Sequence, residues 1–406
     1  MKRIIDWLPD RVDVRLRVIA WVYLVAQIVL VGTGGLVRLT SSGLGCPTWP
    51  RCTADSFVNT PEMGIHGVIE FGNRVLGAVV GIIAIVAFVA ILRLRRERRD
   101  LFWLTLLAGL GIPAQAVLGG ISVLSDLNPY VVGLHFVLSM VLVVLCTMFV
   151  HRVYTPAGPR VLAVPGWYAV LARITAGVVG VTVVVGILTT GSGPHAGDAN
   201  SPRNGLNPEI LEHVHAIPAY ATFALTVVLV VAAWRLRLEP VRRFAAILLV
   251  VELVQIAVGL IQADTGLPGI LVGVHMTLAA VLTAGMTAVI LALTAPVVSG
   301  AADQNAGVSA TGDARVARPP GGIAEAVARD GGALLSAELH LVRHTGFERE
   351  AESQREGQAR LVSHDRLPAQ PGEAHAAGIE GVFHDLPVRL PHVAVSPRRR
   401  RQPAPE

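Results

Sequence analysis

Eight stretches of mostly apolar residues, separated by short polar segments, constrain this chain more than any other feature. They cover roughly 17–37, 66–92, 101–123, 132–152, 167–190, 211–234, 242–262 and 271–295. A helix needs about 20 apolar residues to cross the hydrocarbon core of a bilayer. Within that core a helix satisfies its own backbone, which an irregular segment facing lipid cannot do. The sequence therefore predicts an all-α polytopic membrane protein with eight transmembrane helices. With only 16% charged residues and a mean hydropathy of +0.57, 406 residues could not cover a water-soluble body.

The net charge of +5 does not point to nucleic acid, because outside the tail the Lys and Arg residues form short clusters between apolar runs. Arg11, Arg15 and Arg17 precede the first span, and 93–99 joins the second to the third. Arg152 and Arg160 flank the next such joint, and 235–243 links spans six and seven. Every alternate loop is thus basic, which puts these loops and both termini on the cytoplasmic side of the cell membrane. The segments 38–65, 124–131, 191–210 and 263–270 then face outward. The first residues are too polar for a cleaved signal peptide, so the first span itself directs insertion.

An internal repeat organises the chain. Residues 115–136 (QAVLGGISVLSDLNPYVVGLHF) align without gaps to 255–276 (QIAVGLIQADTGLPGILVGVHM) at an offset of 140. Gln115 meets Gln255, Gly119 meets Gly259, Leu127 meets Leu267, and His135 meets His275. More loosely, Glu70-x-x-Asn73 corresponds to Glu212-x-x-His215. Four spans per unit return the chain to the side where it started, so the two units are parallel bundles related by an axis along the membrane normal. The expected organisation is an N-terminal four-helix half over 1–160, a C-terminal half over 161–297, and a disordered cytoplasmic tail over 298–406. The tail is rich in Ala, Gly, Pro and Arg, and its six histidines from His340 to His392 lack metal-ligand spacing.

Ionisable residues within membrane helices are functional candidates by default. Glu70, Asn73, Glu212 and His215 are placed near the starts of spans two and six, and His135 and His275 just inside spans four and eight. All six lie in the outward third of the bilayer. A single such histidine reads as an interhelical hydrogen bond; two from neighbouring helices at equal depth, His215 and His275, suit the axial positions of one haem iron. The first half has only His135 opposite Asn73, and an amide is a poor iron ligand. Glu70 shares a helix face with Asn73 and reads either as a proton-handling carboxyl or as a helix-start acid. Cys46 and Cys52 in the first outer loop fit a loop-closing disulfide or a redox-active pair, while Cys146 in an apolar run reads as packing. Arg38 and Arg74 are candidates for haem propionates. His66 and His195 are looser candidates, and His213 competes with His215.

The segments GGLVRLTSSGLGCPTWPRC, IEFGNR, VGLHF, TTGSGPHAGD, EHVHA and VGVHM together resemble the heme A synthase family, in an actinobacterial-like form, over about 15–295. The resemblance implies an eight-helix oxidoreductase that converts haem O to haem A for cytochrome oxidase, through successive hydroxylations of a ring methyl, with bound haem b as cofactor. It implies His215 and His275 as the haem b ligands, with His135, Asn73 and Arg74 around the substrate haem. Glu70 matches the catalytic glutamate, and Cys46 and Cys52 the loop cysteines. Asn73 departs from the pattern, since many members carry histidine there. Implied partners are haem O synthase, an electron donor and membrane lipid. A cytochrome-b-like electron carrier is the alternative, but such bundles usually place two histidines on each of two helices, and here each helix contributes one. A transporter lacks its broken helices, and a prenyltransferase its aspartate-rich loops.

Overall fold

The computed structural model of the protein describes residues 8–297, so the expectations for the tail, including its disorder and its histidines, lie outside the described residues. Eight helices follow one another: α1 Val14–Leu39, α2 Gly64–Ile91, α3 Arg99–Leu124, α4 Pro129–Val153, α5 Gly166–Ser192, α6 Pro208–Arg235, α7 Val241–Asp264 and α8 Gly269–Ala292. All eight are long and apolar enough to cross a membrane, and the chain is a multi-pass membrane protein. Only 17% to 39% of each span is buried by other parts of the protein, so most of the apolar surface needs lipid to cover it.

The helices begin a turn or less before the apolar runs that announce them, and three of these early starts have polar caps. Asp13 accepts from the Leu16 amide at 3.2 Å, Asn128 from Tyr130 at 3.0 Å, and Asn207 from Ile210 at 3.1 Å. These side chains satisfy amides that the helix start leaves free, and proline follows two of them at the first helical position. The last helix is the opposite case. It stops at Ala292, short of the predicted 295, because β2 (Thr294–Pro296) pairs antiparallel with β1 (Arg160–Leu162). Arg160 reinforces the pairing by donating to the Thr294 hydroxyl and carbonyl at 3.0 and 2.9 Å.

In the first four helices, α1 packs on α2 and α4, α2 on α3, and α3 on α4; in the last four, α5 packs on α6 and α8, with α7 between α6 and α8. Two apolar clusters form, one built around Tyr23, Ile91, Leu101 and Phe149 and reaching α8 through Ala280, the other around Tyr168, Leu229 and Leu248. The seam between the two sets is made by α1 on α8, α4 on α8, and α4 on α5. Small residues let α1 and α8 approach closely, as is usual between membrane helices. A Cβ on Gly32 would stand 2.9 Å from the Thr277 hydroxyl oxygen, and one on Gly35 would touch the Met276 sulfur at 3.5 Å.

The repeat extends to backbone detail. After α3 and α7 the chain turns through left-handed residues, Leu127 at φ 58° and Leu267 at φ 60°. Their amides donate to Ser122 and Gln262 carbonyls, both at 2.8 Å, closing the two helix ends in the same way. A β-carbon makes this conformation unfavourable by roughly 1–2 kcal/mol, so its occurrence at two leucines at the aligned positions reflects a shared scaffold. Exposed tryptophans, Trp21, Trp103, Trp167 and Trp234, lie at or near the helix ends joined by the basic loops, as an interfacial belt would.

Replacing Gly32 by Ala should destabilise the protein in detergent by about 1–3 kcal/mol through overpacking at the α1–α8 seam. Adding Thr277→Ala should recover most of that loss, read as a coupling between the two changes in thermal unfolding; additive losses would contradict this account of the seam.

Candidate functional site

His215 projects from α6 and His275 from α8, and their rings meet with centroids 6.3 Å apart and planes at 74°. A metal-bound imidazole nitrogen lies about 2 Å from its metal, and the ring centre about 1 Å further on. Two imidazoles on opposite sides of one iron therefore put their centroids about 6 Å apart, which is the spacing found. The Nδ1 atoms of both rings are buried without a hydrogen-bond partner, and so is that of His135. Among the described residues no three His, Cys, Asp or Glu side chains converge on one point. A two-histidine site suits a haem, whose porphyrin supplies the other four ligands, better than a bare ion, which needs three or four from the protein. On these observations the residues present fit a bis-histidine haem.

The two repeats build the α4 and α8 histidines alike. Gln115 of α3 donates its amide to the His135 carbonyl at 3.2 Å, and Gln255 of α7 does the same to His275 at 3.1 Å. Each ring then rests in a glycine notch: a Cβ on Gly119 would stand 3.2 Å from His135 Cε1, and one on Gly259 would stand 3.1 Å from His275 Cε1. Gly186 of α5 leaves the same space for His215, at 2.9 Å. Any larger residue at these positions would push a ring off its line.

Where the first half has no second histidine, Asn73 is held sideways, its Oδ1 accepting from Thr33 of α1 at 2.8 Å. One turn away on α2, Glu70 is 5% exposed and fully engaged. Its Oε2 accepts from the Cys46 amide at 2.6 Å, and its Oε1 from Arg74 at 2.6 Å. Arg74 also donates to the carbonyls of Cys46, Thr48 and Arg51, at 3.0 to 3.2 Å. The pair thus staples the loop closed by the Cys46–Cys52 disulfide, whose two cysteines are fully buried. That loop lays the Trp49 indole on Gly120 of α3, next to the glycine that backs His135; a Cβ on Gly120 would overlap the ring.

Residues 17–287, well over half of the chain and reaching into all eight helices, match the COX15-CtaA family, described as cytochrome oxidase assembly protein. The chain belongs to this family. It is 34% identical over 119 residues to a protein named heme A synthase from Bacillus pumilus, covering 29% of this chain and 38% of that protein. It is 33% identical over 132 residues to the heme A synthase of Lysinibacillus sphaericus, 31% and 41% of the two chains. With that of Halalkalibacterium halodurans it shares 25% identity over 156 residues, 37% and 52%. The chain spans about half or less of the length of these relatives.

Not every expected residue of this COX15-CtaA protein falls at the two sites. Glu212, the repeat counterpart of Glu70, is exposed, and so is His213, whose Nδ1 lies 2.8 Å from the Glu209 carbonyl. His66 is exposed and meets Ser42, while His195 Nε2 lies 2.9 Å from the Leu267 carbonyl. Arg38 donates to the Thr190 carbonyl at 2.9 Å and to that of His195. Both arginines considered for propionates donate to main-chain carbonyls. Cys146 is a buried free thiol. The sequence reading passed over Glu252, buried on α7; the signal was there, a lone acidic residue inside the run VVELVQIAV.

Arg74→Ala leaves three carbonyls and a buried carboxylate without their donor. Losing about 1.5–3 kcal/mol of charge-assisted bonding should raise opening of the loop about 10–100-fold. The readout is the rate at which a mild reductant followed by a maleimide labels Cys46 and Cys52; an unchanged rate would refute the staple.

Proposed function

We propose that this protein is a heme A synthase of an actinobacterial-like type, which oxidises the ring methyl of haem O to a formyl group by successive hydroxylations and so supplies haem A for cytochrome c oxidase assembly. The observation that carries this reading is the asymmetry between two sites built on one scaffold. In the half 161–297, His215 and His275 stand at the spacing of an axial pair. In the half 1–160, the repeat counterparts of that pair are His135 on α4 and, on α2, Asn73, one turn from a pinned glutamate. One site suits a haem that stays, the other a haem that is worked on and released.

In this reading His215 and His275 hold haem b, which when bound supplies one-electron transfer between an electron donor and the substrate site. His135 binds the iron of the substrate haem O from one side, and Asn73 leaves the other side open. Glu70 is the catalytic carboxyl. Two strong hydrogen bonds orient it on the face of α2 that also carries Asn73, where Oε2 can take or return a proton by exchanging its bond to the Cys46 amide. Arg74 acts on the substrate haem through the loop it holds, with Trp49 as the outer wall. Both termini face the cytoplasm, as the basic loops favour, and both sites lie in the outward third of the membrane. Haem O synthase is the source of substrate.

Expression with a haem O supply should yield haem A or hydroxylated haem O on extraction, identified by chromatography and mass. Bound haem with no such product would favour the electron carrier and sink the enzyme. His275→Ala should abolish the low-spin haem spectrum, and Gly186→Ala should weaken it by displacing His215. Glu70→Gln should keep the spectrum and lower turnover by about 10²–10⁴.

A further inference from the structure

Glu252 lies midway along α7 (Val241–Asp264) and has no part in the reading above. It is 3% exposed; Thr226 of α6 donates to its Oε1 at 2.8 Å, and Oε2 is buried without a partner. Among the described residues no cation pairs with it. On α8 the sole titratable side chain is His275. On α6 they are Glu209, Glu212, His213 and His215 towards one end, the exposed Tyr220, and Arg235 at the other end. On α7 itself, Arg242, Arg243 and Asp264 sit at the helix ends.

The carboxyl is not part of the shared scaffold. The aligned residue of the first half is Ile112, which would fill such a position at no electrostatic cost. Glu252 stands in the half that carries the histidine pair, on a helix that touches His275 and beside the helix that carries His215. One turn along α7, about 4.5 Å, Gln255 donates to the His275 carbonyl at 3.1 Å. On α6, His215, Thr222 and Thr226 recur at seven and four residues and so share a face. The Thr222 hydroxyl lies 3.3 Å from that of Thr182 on α5, and the Thr226 hydroxyl donates to Glu252 Oε1. Hydroxyls and a carboxyl aligned below a redox centre are the groups that hold and pass protons inside membranes.

We propose that Glu252 exchanges one proton in step with the redox state of the haem held by His215 and His275, an inference that rests on the haem b reading. When a one-electron reductant converts that iron from the ferric to the ferrous state, the Glu252 carboxylate takes one proton from solvent. An O–H bond forms at Oε2, the free oxygen, and the added electron's charge is balanced inside the bundle. Reoxidation breaks the same bond and returns the proton.

The test is a redox titration of the full chain in detergent, with dithionite as reductant, across a range of pH. The wild-type potential should fall as pH rises. Glu252→Gln, which keeps the acceptor for Thr226, should lose that dependence with its low-spin spectrum intact. The reduced-minus-oxidised infrared spectrum should show a carboxylic acid carbonyl band that this variant lacks. Thr226→Val, which removes only the bond to Oε1, should shift that band and the pH range of the dependence. A Glu252→Gln protein with wild-type dependence and band overturns the proposal alone. If that variant does not accumulate, a Thr226→Val band identical to wild type overturns it. A wild-type chain with no low-spin haem overturns the haem b reading instead.

Discussion

A peptide group in hydrocarbon has no partner except another group of its own chain, and this limit shapes the protein at every level. It forces eight continuous helices, and it makes any side chain that can reach a helix carbonyl in the core a structural tool. Gln115 and Gln255 are such tools. Each spends an amide on the peptide carbonyl of the histidine opposite, which fixes the rotation of α4 and α8 about their axes. Once that rotation is set, the glycines one turn along, Gly119 and Gly259, leave room for the ring and nothing larger. The bundle thus aims its histidines with one hydrogen bond and one missing methyl group per repeat, neither of which requires a charge in the membrane.

What was legible in the sequence follows from the range of each interaction. The helices were legible because hydropathy is summed over some twenty neighbouring residues. The repeat was legible because it preserves the residues that contact each other, Gln115 and Gly119 with His135 in one half and Gln255 and Gly259 with His275 in the other. The helix starts were missed by a turn because Asp13, Asn128 and Asn207 are polar and lie outside the apolar window. The end of α8 was misjudged because Thr294–Pro296 answers to Arg160–Leu162, over a hundred residues away. Glu252 belongs to no motif, and its partner Thr226 is reached only across the α6–α7 contact.

The arginines show the same limit from the other side. Charge and position suggested haem propionates for Arg38 and Arg74, and the end of a bundle is also where chain leaves helix and its carbonyls lose their partners. Arg74 meets three carbonyls and a carboxylate at once, and Arg38 ties the end of α1 to the Thr190 and His195 carbonyls in the second half. A planar guanidinium with five donors can do this, whereas a lysine with three on a single nitrogen cannot reach so many acceptors.

The interlocking of the outer loops bears on how two unlike sites coexist on one scaffold. Gly43 donates to the Gly197 carbonyl at 2.8 Å, Arg38 crosses to His195, and His195 reaches the turn at Leu267. These links run from the first half to the loops of the second, so neither outer loop can move without straining the other. The first loop carries a further restraint of its own, the disulfide and the Glu70–Arg74 pair, and it is the loop that covers the half with the incomplete histidine pair. Two axial ligands fix a haem unaided. In the proposed reading, a site with one histidine takes its geometry from such walls instead.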